Sequence, residues 1–367
     1  MILHLLTDEK FTDYAIKQFS APEMMSEFVL VPTNNMMGHV RLIDKCRIVN
    51  QNSPEFNELL TNLGNYAGII FHGLMFPKWQ TTILKNIPNH VKVALYFWGG
   101  EIYSRQDIEN SFYAPITKCL VRLHNKHKST IKNNQDEIPY ELFNKVDYFL
   151  TSIKTEYEFA KQYTTVPFQF IWYTCYSLEE TIGPLLSEKC SGNNIWIGNS
   201  AAPLNNHFDL LWLLWKRRFV HRKNNAKFII PLSYGAPWVK NWVLKFGNML
   251  FRHRMQPLVD FMPRNEYNKM MLSCSTMVIG YWEPAANGNI ITALWLGMRV
   301  YLSEKNIALE GYTQMGLKVF SIESDLKNYQ FTPLSDKECQ DNRDVLTKWF
   351  GKHHVMKSAK EVINALQ

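Results

Sequence analysis

Several signatures of common enzyme classes are missing from this chain of 367 residues. No GxGxxG motif follows a predicted strand, which disfavours dinucleotide redox chemistry, and the absence of GxxxxGK(S/T) excludes a P-loop enzyme. No DxD pair is present to chelate a metal-bound nucleotide diphosphate. A bound pyrophosphate would therefore be neutralised by backbone amides and a helix N-terminus, so we expect no metal.

Disulfide and membrane-span signals are also missing. The six cysteines are scattered, with neither a CxxC motif nor a metal-ligand spacing, and they indicate free thiols in a reducing compartment. No apolar run approaches the length of a membrane span, and the opening MILHLLTDEK lacks the basic region of a signal peptide. We therefore expect a first strand at the N-terminus and a cytoplasmic protein that can still touch a membrane surface.

The composition is that of a globular protein, with 46% hydrophobic and 14% aromatic residues and a length sufficient for two domains. Lys and Arg total 40 against 33 Asp and Glu, a formal net charge of +7. This modest excess suits an anionic ligand or an anionic membrane surface. It is too small to indicate nucleic acid, and we expect no nucleic-acid partner.

Short apolar segments alternate with helical patterns in both halves of the chain. Predicted strands include residues 2–6, 67–71, 91–98, 195–198, 227–231, 258–262 and 277–281. Such alternation with short loops is typical of parallel sheets covered on both faces. It predicts an α/β protein with two Rossmann-like domains facing each other across a cleft. We place the first domain at 1–174, a turn-rich linker at 175–194, the second domain at 195–344 and C-terminal helices at 345–367.

The segment MVIGYWEPAANGNIITALWLG, residues 277–297, contains a strand, a turn and a helix start. Pro284, Asn287 and Gly288 give the middle its turn composition, and Asn289 can cap the helix that follows. Free backbone N–H groups and the positive end of the helix dipole would converge there on an anion. An ordinary βα turn has the same pattern, so the segment alone does not decide.

Polar and small residues follow the predicted strands, where open parallel sheets bind their ligands. In the first half this rule selects Asp8, His72, Gly73, Gly99 and Glu101. His72 and Glu101 are the groups among these that can move protons. Alternatively, His72 could bond backbone in a tight loop, and Glu101 could complement the dipole of a helix N-terminus.

The same rule selects a second set, rich in amides and helix starts, that suits a nucleotide and its phosphates. Its members are Asn199, Ser200, Tyr234, Arg264, Glu283, Asn287, Gly288 and Asn289. Glu283 could bind ribose hydroxyls or be a solvated loop charge. Arg264 could meet a pyrophosphate or be merely exposed, and Asn199 with Ser200 could be only an N-cap pair.

Two basic helical segments combine apolar residues with clustered Lys and Arg. They are KCLVRLHNKHKSTIK at 118–132 and WLLWKRRFVHRK at 212–223. Each could dock on an anionic bilayer or pack its apolar face on a sheet and solvate the basic face. We favour packing for the second segment because it lies between two predicted strands, and for the first both interpretations stay open.

Five short segments then occur in one order: IIFHGL at 69–74, FWGGEIY at 97–103, IWIGNS at 195–200, PLSYG at 231–235 and NGNIITALWLGMRVYLSEKN at 287–306. Together they resemble the bacterial 4-acetamido-4,6-dideoxy-galactose (Fuc4NAc) transferase family of enterobacterial common antigen synthesis, the "4-alpha-L-fucosyltransferase" type. The resemblance extends from the first predicted strand to about residue 315.

The resemblance implies a GT-B glycosyltransferase that needs no cofactor beyond a dTDP-activated amino-deoxy sugar. The implied acceptor is an undecaprenyl-diphosphate-linked saccharide at the cytoplasmic face of the inner membrane. The resemblance places three first-half residues on the acceptor side, namely His72, Gly99 and Glu101. It places six second-half residues on the donor side, namely Asn199, Ser200, Tyr234, Asn287, Gly288 and Asn289.

Two departures from the family leave the sugar open. The family has WGAD where this chain has Trp98-Gly99-Gly100-Glu101, and a Gln-Gln-Gly-Ile-Gly loop at residues 285–289. A relative in O-antigen assembly with another dTDP-deoxy sugar fits equally well. A GT-B-fold sugar-nucleotide epimerase and a non-enzymatic bilobed ligand-binding protein are the alternatives of other classes.

Overall fold

The computed structural model describes residues 1–32, 38–105, 107–126, 137–217, 225–328 and 332–367. The chain forms two compact units. The first comprises Met1–Gln106, Lys132–Ser177 and Phe350–Gln367, and the second comprises Asp107–Ile131 and Leu178–Trp349. The passage after Ser177 lies within the predicted linker, residues 107–131 belong to the second unit, and the end of the chain returns to the first.

The first unit contains a seven-stranded parallel sheet in the order β3-β2-β1-β4-β5-β6-β7. The strands are β1 Ile2–Leu6, β2 Ser26–Leu30, β3 Arg47–Ile48, β4 Gly68–His72, β5 Lys92–Tyr96, β6 Tyr148–Thr151 and β7 Gln169–Trp172. Because β1 and β4 are buried along their whole length, they read in the sequence as continuous apolar runs.

Helices of this unit cover the sheet and are α1 Thr12–Phe19, α2 Pro54–Asn62, α3 Pro77–Asn86, α4 Gly100–Tyr103, α6 Lys154–Ala160 and α14 Lys352–Leu366. Local sequence signals fix several of their ends. The Ser53 side chain caps α2 by accepting the Phe56 amide at 3.3 Å, and Pro54 occupies the first turn. The buried face of α14 joins the core of the first sheet, ending at Leu366.

The second unit contains a six-stranded parallel sheet in the order β10-β9-β8-β11-β12-β13. Its strands are β8 Asn194–Ile197, β9 Phe228–Pro231, β10 Met255–Leu258, β11 Cys274–Ile279, β12 Arg299–Leu302 and β13 Phe320–Ser321. Its helices are α5 Pro115–Lys126, α7 Leu178–Ile182, α8 His207–Lys216, α9 Pro237–Phe251, α10 Arg264–Met271, α11 Asn287–Trp295, α12 Ile307–Gln314 and α13 Asp336–Phe350.

Three local predictions are wrong. The strand expected at 258–262 lies at Met255–Leu258, because β10 is an edge strand and tolerates Pro257. Asn289 does not cap α11, which begins at Asn287 after Ala286 in the left-handed conformation. The sequence pattern predicts a mostly helical stretch from residue 102 to about residue 132, but the structure divides it into the short α4 and the separate α5.

The far ends of both predicted basic helices, residues 127–132 and 218–223, lie outside the described residues. Among the described residues no helix is both long and apolar enough to cross a bilayer.

Candidate functional site

Strand order reverses once in each sheet, between β1 and β4 in the first unit and between β8 and β11 in the second. The loops that leave such a pair of parallel strands separate and form a crevice, where open α/β sheets bind ligands. Asp8 follows β1 and Gly73 follows β4. Asn199 follows β8, and the loop that leads to Asn287 follows β11. Most of the predicted site residues therefore lie beside one of these two crevices.

Glu101 ties together the two loops that follow β4 and β5. One carboxylate oxygen accepts the Leu74 amide at 3.0 Å and the Trp98 amide at 3.2 Å. Burial raises the pKa of Glu101, while these backbone donors oppose the shift. A buried carboxylate with a raised pKa is a suitable proton acceptor, and its amide contacts also give it a structural role.

Glu156 is a second buried carboxyl in this unit, and its oxygen accepts the Thr151 hydroxyl at the end of β6. Burial, together with the negative charge of Glu101, raises the pKa of Glu156 to about 8, against the effect of that hydroxyl. The two carboxyls therefore titrate under each other's influence. Sequence analysis did not single out Glu156, because its position inside an ordinary helix gives no signal.

His72 is the last residue of β4 and is only 2% exposed. Its Nε2 lies 3.1 Å from Nδ1 of His4, and Nε2 of His4 lies 3.0 Å from the Ser26 hydroxyl. That hydroxyl donates to the Met24 carbonyl at 3.4 Å. Because the Ser26 hydroxyl donates to Met24, it accepts a hydrogen bond from Nε2 of His4, and Nδ1 of His4 accepts one from Nε2 of His72. The lone pair of the His72 ring is then on Nδ1, which has no hydrogen-bond partner among the described residues.

Burial lowers the pKa of His72 to about 3. His72 is therefore neutral near pH 7 and, by basicity alone, a weaker proton acceptor than Glu101. His4 was missed by sequence reasoning, because a histidine in the middle of an apolar strand looks like one more core residue.

The other first-unit candidates shape the loops. The carboxylate of Asp8 accepts the backbone amides of Gly38, His39 and Val40 at 2.7–2.9 Å. Although partial burial acts in the opposite direction, these amides hold the pKa of Asp8 below its ordinary value. Gly73 has φ +84°, a conformation that favours glycine, and a Cβ there would lie 2.8 Å from the Trp98 ring.

Asn205 organises the loop after β8 in the second unit. Fully buried, it donates to the Ser200 carbonyl at 2.8 Å, the Asn199 side chain at 3.0 Å and the Tyr281 hydroxyl at 3.0 Å. Asn199 in turn donates to the Tyr234 hydroxyl at 3.3 Å. The structure thus joins the predicted residues Asn199, Ser200 and Tyr234 in one network with Tyr281, at the start of the β11 loop.

Asn206 and His207 fix the backbone below this network. Asn206 adopts the left-handed conformation and donates to the Gly280 carbonyl at 2.8 Å. Nε2 of His207 lies 2.8 Å from the Ser200 carbonyl, and burial lowers the pKa of His207 to about 4. The neutral ring therefore donates to that carbonyl and holds Ser200 in place.

The start of α11 keeps its predicted position at the carboxyl edge of the sheet. The Asn287 side chain accepts the Tyr312 hydroxyl at 3.0 Å, and the Asn289 side chain donates to the Tyr267 hydroxyl at 3.1 Å. Both amides are thereby oriented from neighbouring helices, while Gly288 adds no side chain to the first turn. The first turn of a helix offers backbone N–H donors and a positive dipole end, the requirements of a phosphate site.

Asn306 holds the β11 loop against the next helix. Its side chain donates to the carbonyls of Tyr281 at 3.0 Å and Glu283 at 2.8 Å, and accepts the Ala308 amide at 2.9 Å as the N-cap of α12. Glu283 itself is only 7% exposed, so it is not a solvated loop charge. Sequence reasoning missed Asn306, which by pattern is simply a residue before a helix.

Arg264 lies in the first turn of α10, which follows the edge strand β10. Its guanidinium donates to the Glu180 carbonyl of α7 at 3.3 Å. Arg264 therefore tethers α7, where the chain enters this unit. It follows the edge strand β10, whereas the crevice lies between β8 and β11.

No protein-family model matches the chain, and no curated protein sequence matches it either. Solved structures match it over essentially its whole length. The lipopolysaccharide outer core galactosyltransferase WaaB is 10% identical with a TM-score of 0.64, covering 100% of both chains. A glycosyltransferase from Rickettsia africae is 12% identical with a TM-score of 0.63, covering 100% of this chain and 98% of its own.

HepE from Anabaena in complex with UDP is 10% identical with a TM-score of 0.61, covering 100% of this chain and 99% of its own. At these low sequence identities, the similarity to the solved structures establishes only the fold of the chain. Two parallel-sheet Rossmann-like units of seven and six strands give the chain the GT-B fold, which confirms the predicted fold class.

Proposed function

We propose that this protein is a glycosyltransferase that takes its sugar from a sugar nucleotide. The observation that carries the proposal is the position of the α11 start in a GT-B chain, at the crevice beside β8 and β11. Solved structures of this fold include HepE in complex with UDP and with UDP-glucose. A diphosphate at the first turn of α11 would meet backbone amides, with the Asn205 network close by in the neighbouring loop.

The proposal assigns the donor to the second unit and proton acceptance to the first. Asn287, Gly288 and Asn289 would contact the phosphates, and Glu283 the ribose hydroxyls. Of the two candidate bases we favour Glu101, because burial raises its pKa whereas it lowers that of His72 to about 3. A base removes the proton of the attacking acceptor hydroxyl while the nucleotide diphosphate leaves.

The finer assignment follows the family resemblance. It gives a dTDP-activated, Fuc4NAc-like donor and an undecaprenyl-diphosphate-linked saccharide acceptor, for common antigen or O-antigen synthesis. It also implies a position at the cytoplasmic face of the inner membrane. Because the sequence has no DxD pair, we further propose that catalysis is metal-independent. Chelation of divalent metals should then leave transfer unchanged.

Exposed tryptophans support a membrane-surface position. Trp212 and Trp215 on α8 are 41% and 36% exposed and stack at 4.9 Å, while Trp242 on α9 is 53% exposed. The opposite face of α8, with Leu211 and Leu214, is buried in the core. The helix thus packs as predicted and still presents tryptophans, which favour the interface between lipid headgroups and acyl chains.

A nucleotide panel tests the donor assignment. A ligand that binds only the folded state raises its stability, by about 2.7 kcal/mol at a hundredfold excess over Kd. We expect dTDP to raise the melting temperature more than UDP or GDP. A clear preference for UDP would replace the dTDP assignment, and no response to any nucleotide diphosphate would contradict the donor site.

Substitution tests the base. Glu101→Gln should lower the transfer rate at least about a hundredfold, the usual range for general-base catalysis, with unchanged nucleotide affinity. His72→Ala should act less strongly on the rate, and Glu158→Gln, on the exposed face of α6, serves as the control. Near-normal turnover of a Glu101→Gln, His72→Ala double variant would remove both residues from the mechanism.

A further inference from the structure

The second unit contains a cavity beside the loop that leads to the proposed donor site. Its volume is about 600 Å³, and it lies between α5 and the loop after β11. The lining includes Lys118, Arg122 and Lys126 of α5, with Tyr113, Cys119 and Trp282 around them. None of the described lining residues is acidic, so the cavity has the electrostatic character of an anion site.

The three cations lie on one face of α5, because their spacing of four residues places each one turn above the last. Among the described residues none of them forms an ion pair. Like charges at this spacing destabilise a helix, and Lys118 lies in the first turn, where the helix dipole also opposes a positive charge. The helix dipole favours a cation near the C-terminal end, which accounts for Lys126. Helix stability does not account for the whole row of three cations.

The helix that bears the three cations is anchored near both ends. The Asp209 carboxylate at the start of α8 accepts the backbone amides of Ile116 at 2.8 Å and Thr117 at 2.9 Å. Toward the other end of α5, the His124 ring stacks on Trp238 at 4.5 Å. Both ends of α5 are thus fixed to the body of the unit, so the backbone positions that bear the cations are set before any ligand binds.

An aromatic side chain stands beside this row. Trp282 lines the cavity, and the Lys305 ammonium lies 3.6 Å from its ring centroid. The Tyr113 hydroxyl donates a hydrogen bond to the carboxylate of Glu109, which lies beside the cavity. The combination of a row of cations on an anchored helix and an indole ring suits a ligand with both a phosphate and an apolar or sugar face.

We propose that this cavity binds a phosphate-bearing ligand, with Lys118, Arg122 and Lys126 contacting the phosphate and Trp282 contacting the group attached to it. A lipid headgroup at a bilayer and a soluble phosphate compound share this chemistry. The cavity borders the proposed donor site, because Trp282 directly precedes Glu283, and phosphate binding there does not depend on the transfer activity proposed above.

Cys119 allows a site-specific test, because it is exposed and lines the cavity, whereas the buried cysteines 175, 190, 274 and 339 are shielded. In a Cys46→Ser background of the full chain, alkylation of Cys119 by neutral iodoacetamide is followed by mass spectrometry. Inorganic pyrophosphate and phosphatidylglycerol vesicles are added in separate arms, with phosphatidylcholine vesicles as the uncharged comparison.

We expect pyrophosphate, phosphatidylglycerol vesicles or both to slow alkylation, and phosphatidylcholine vesicles to have no effect. Protection by vesicles alone assigns a headgroup, and protection by pyrophosphate alone assigns a soluble phosphate. Arg122→Gln with Lys126→Gln should raise the ligand concentration needed by at least about tenfold for each cation removed.

The matched control is Lys161→Gln with Lys348→Gln, which removes the same charge from two exposed lysines, one directly after α6 and one on α13, each beside an aromatic ring. It should leave protection intact. Absence of protection in every arm, or equal protection in the Arg122→Gln, Lys126→Gln variant, would overturn the proposal. Binding of nucleotide diphosphate, measured by thermal shift, should be the same in both variants and checks their folding.

Discussion

Asn306 makes three side-chain hydrogen bonds while 1% exposed, and its replacement by alanine should be costly. Loss of the α12 cap removes about 1 kcal/mol. Each of the two buried carbonyls, of Tyr281 and Glu283, loses a donor at a further cost of about 1–3 kcal/mol. We therefore expect Asn306→Ala to destabilise the protein by roughly 3–7 kcal/mol, or roughly 6–28 °C in melting temperature for a domain of this size.

Asn306→Ser separates the two roles. Its hydroxyl can still accept the Ala308 amide, so it should recover about 1 kcal/mol, the value of an N-cap. It cannot reach both carbonyls, and the loop after β11 should stay loose. Nucleotide affinity should therefore fall in both variants. Urea unfolding and isothermal titration measure the two effects, with exposed Asn241→Ala on α9 as the control. If Asn306→Ala melts within a degree or two of the parent, the reasoning about this tether is wrong.

The remaining predictions concern pH, packing and membrane binding. Because the pKa of Glu156 is raised from 4.5 to about 8, the folded state holds the extra proton between these values. The free energy of unfolding should thus fall by about 1.4 kcal/mol per pH unit as pH rises through that window. Glu156→Gln should make this free energy less dependent on pH. If urea unfolding gives the same pH dependence for the variant and the parent, the prediction is refuted. Gly280→Ala places a Cβ 2.3 Å from the Asn205 carbonyl oxygen and should lower the free energy of unfolding by about 1–3 kcal/mol. Gly38→Ala, where the new Cβ has no atom within 4 Å, should be nearly neutral in the same unfolding assay. The Trp212→Ala, Trp215→Ala double variant should float with anionic vesicles at least about tenfold less than the parent, whereas Trp349→Ala should float like the parent. Equal flotation of the double variant and the parent would contradict docking through α8.

Much of the fold follows from the sequence because both sheets are parallel and buried. Strands covered on both faces leave continuous apolar runs, such as β4 and β9, and the loops after them contain the polar residues. Strand ends could therefore be predicted without knowing strand order. Strand order, once known, showed which of those loops flank a crevice.

Other features depend on contacts between distant residues. Asn205 reaches the Tyr281 hydroxyl, 76 positions away, and Asn306 reaches the carbonyls of Tyr281 and Glu283. Only the folded chain brings these groups near, and nothing in the local sequence marks the two asparagines. Pro257 looks like a strand breaker, yet it fits β10 because an edge strand has one free side. Asp209 fixes the start of α5 from more than ninety positions away, so no local pattern could place α5 in the second unit.

The central claim is sugar transfer from a nucleotide donor, and product analysis tests it most directly. Purified protein is incubated with dTDP-sugar and a lipid extract containing polyprenyl-diphosphate-linked saccharides, and the lipids are examined by mass spectrometry. The account predicts a lipid heavier by one deoxy-amino sugar residue, with release of dTDP, only when both substrates are present. Conversion of the nucleotide sugar without lipid would indicate an epimerase, and binding without consumption of any nucleotide sugar would indicate a ligand-binding protein; either result would contradict the account.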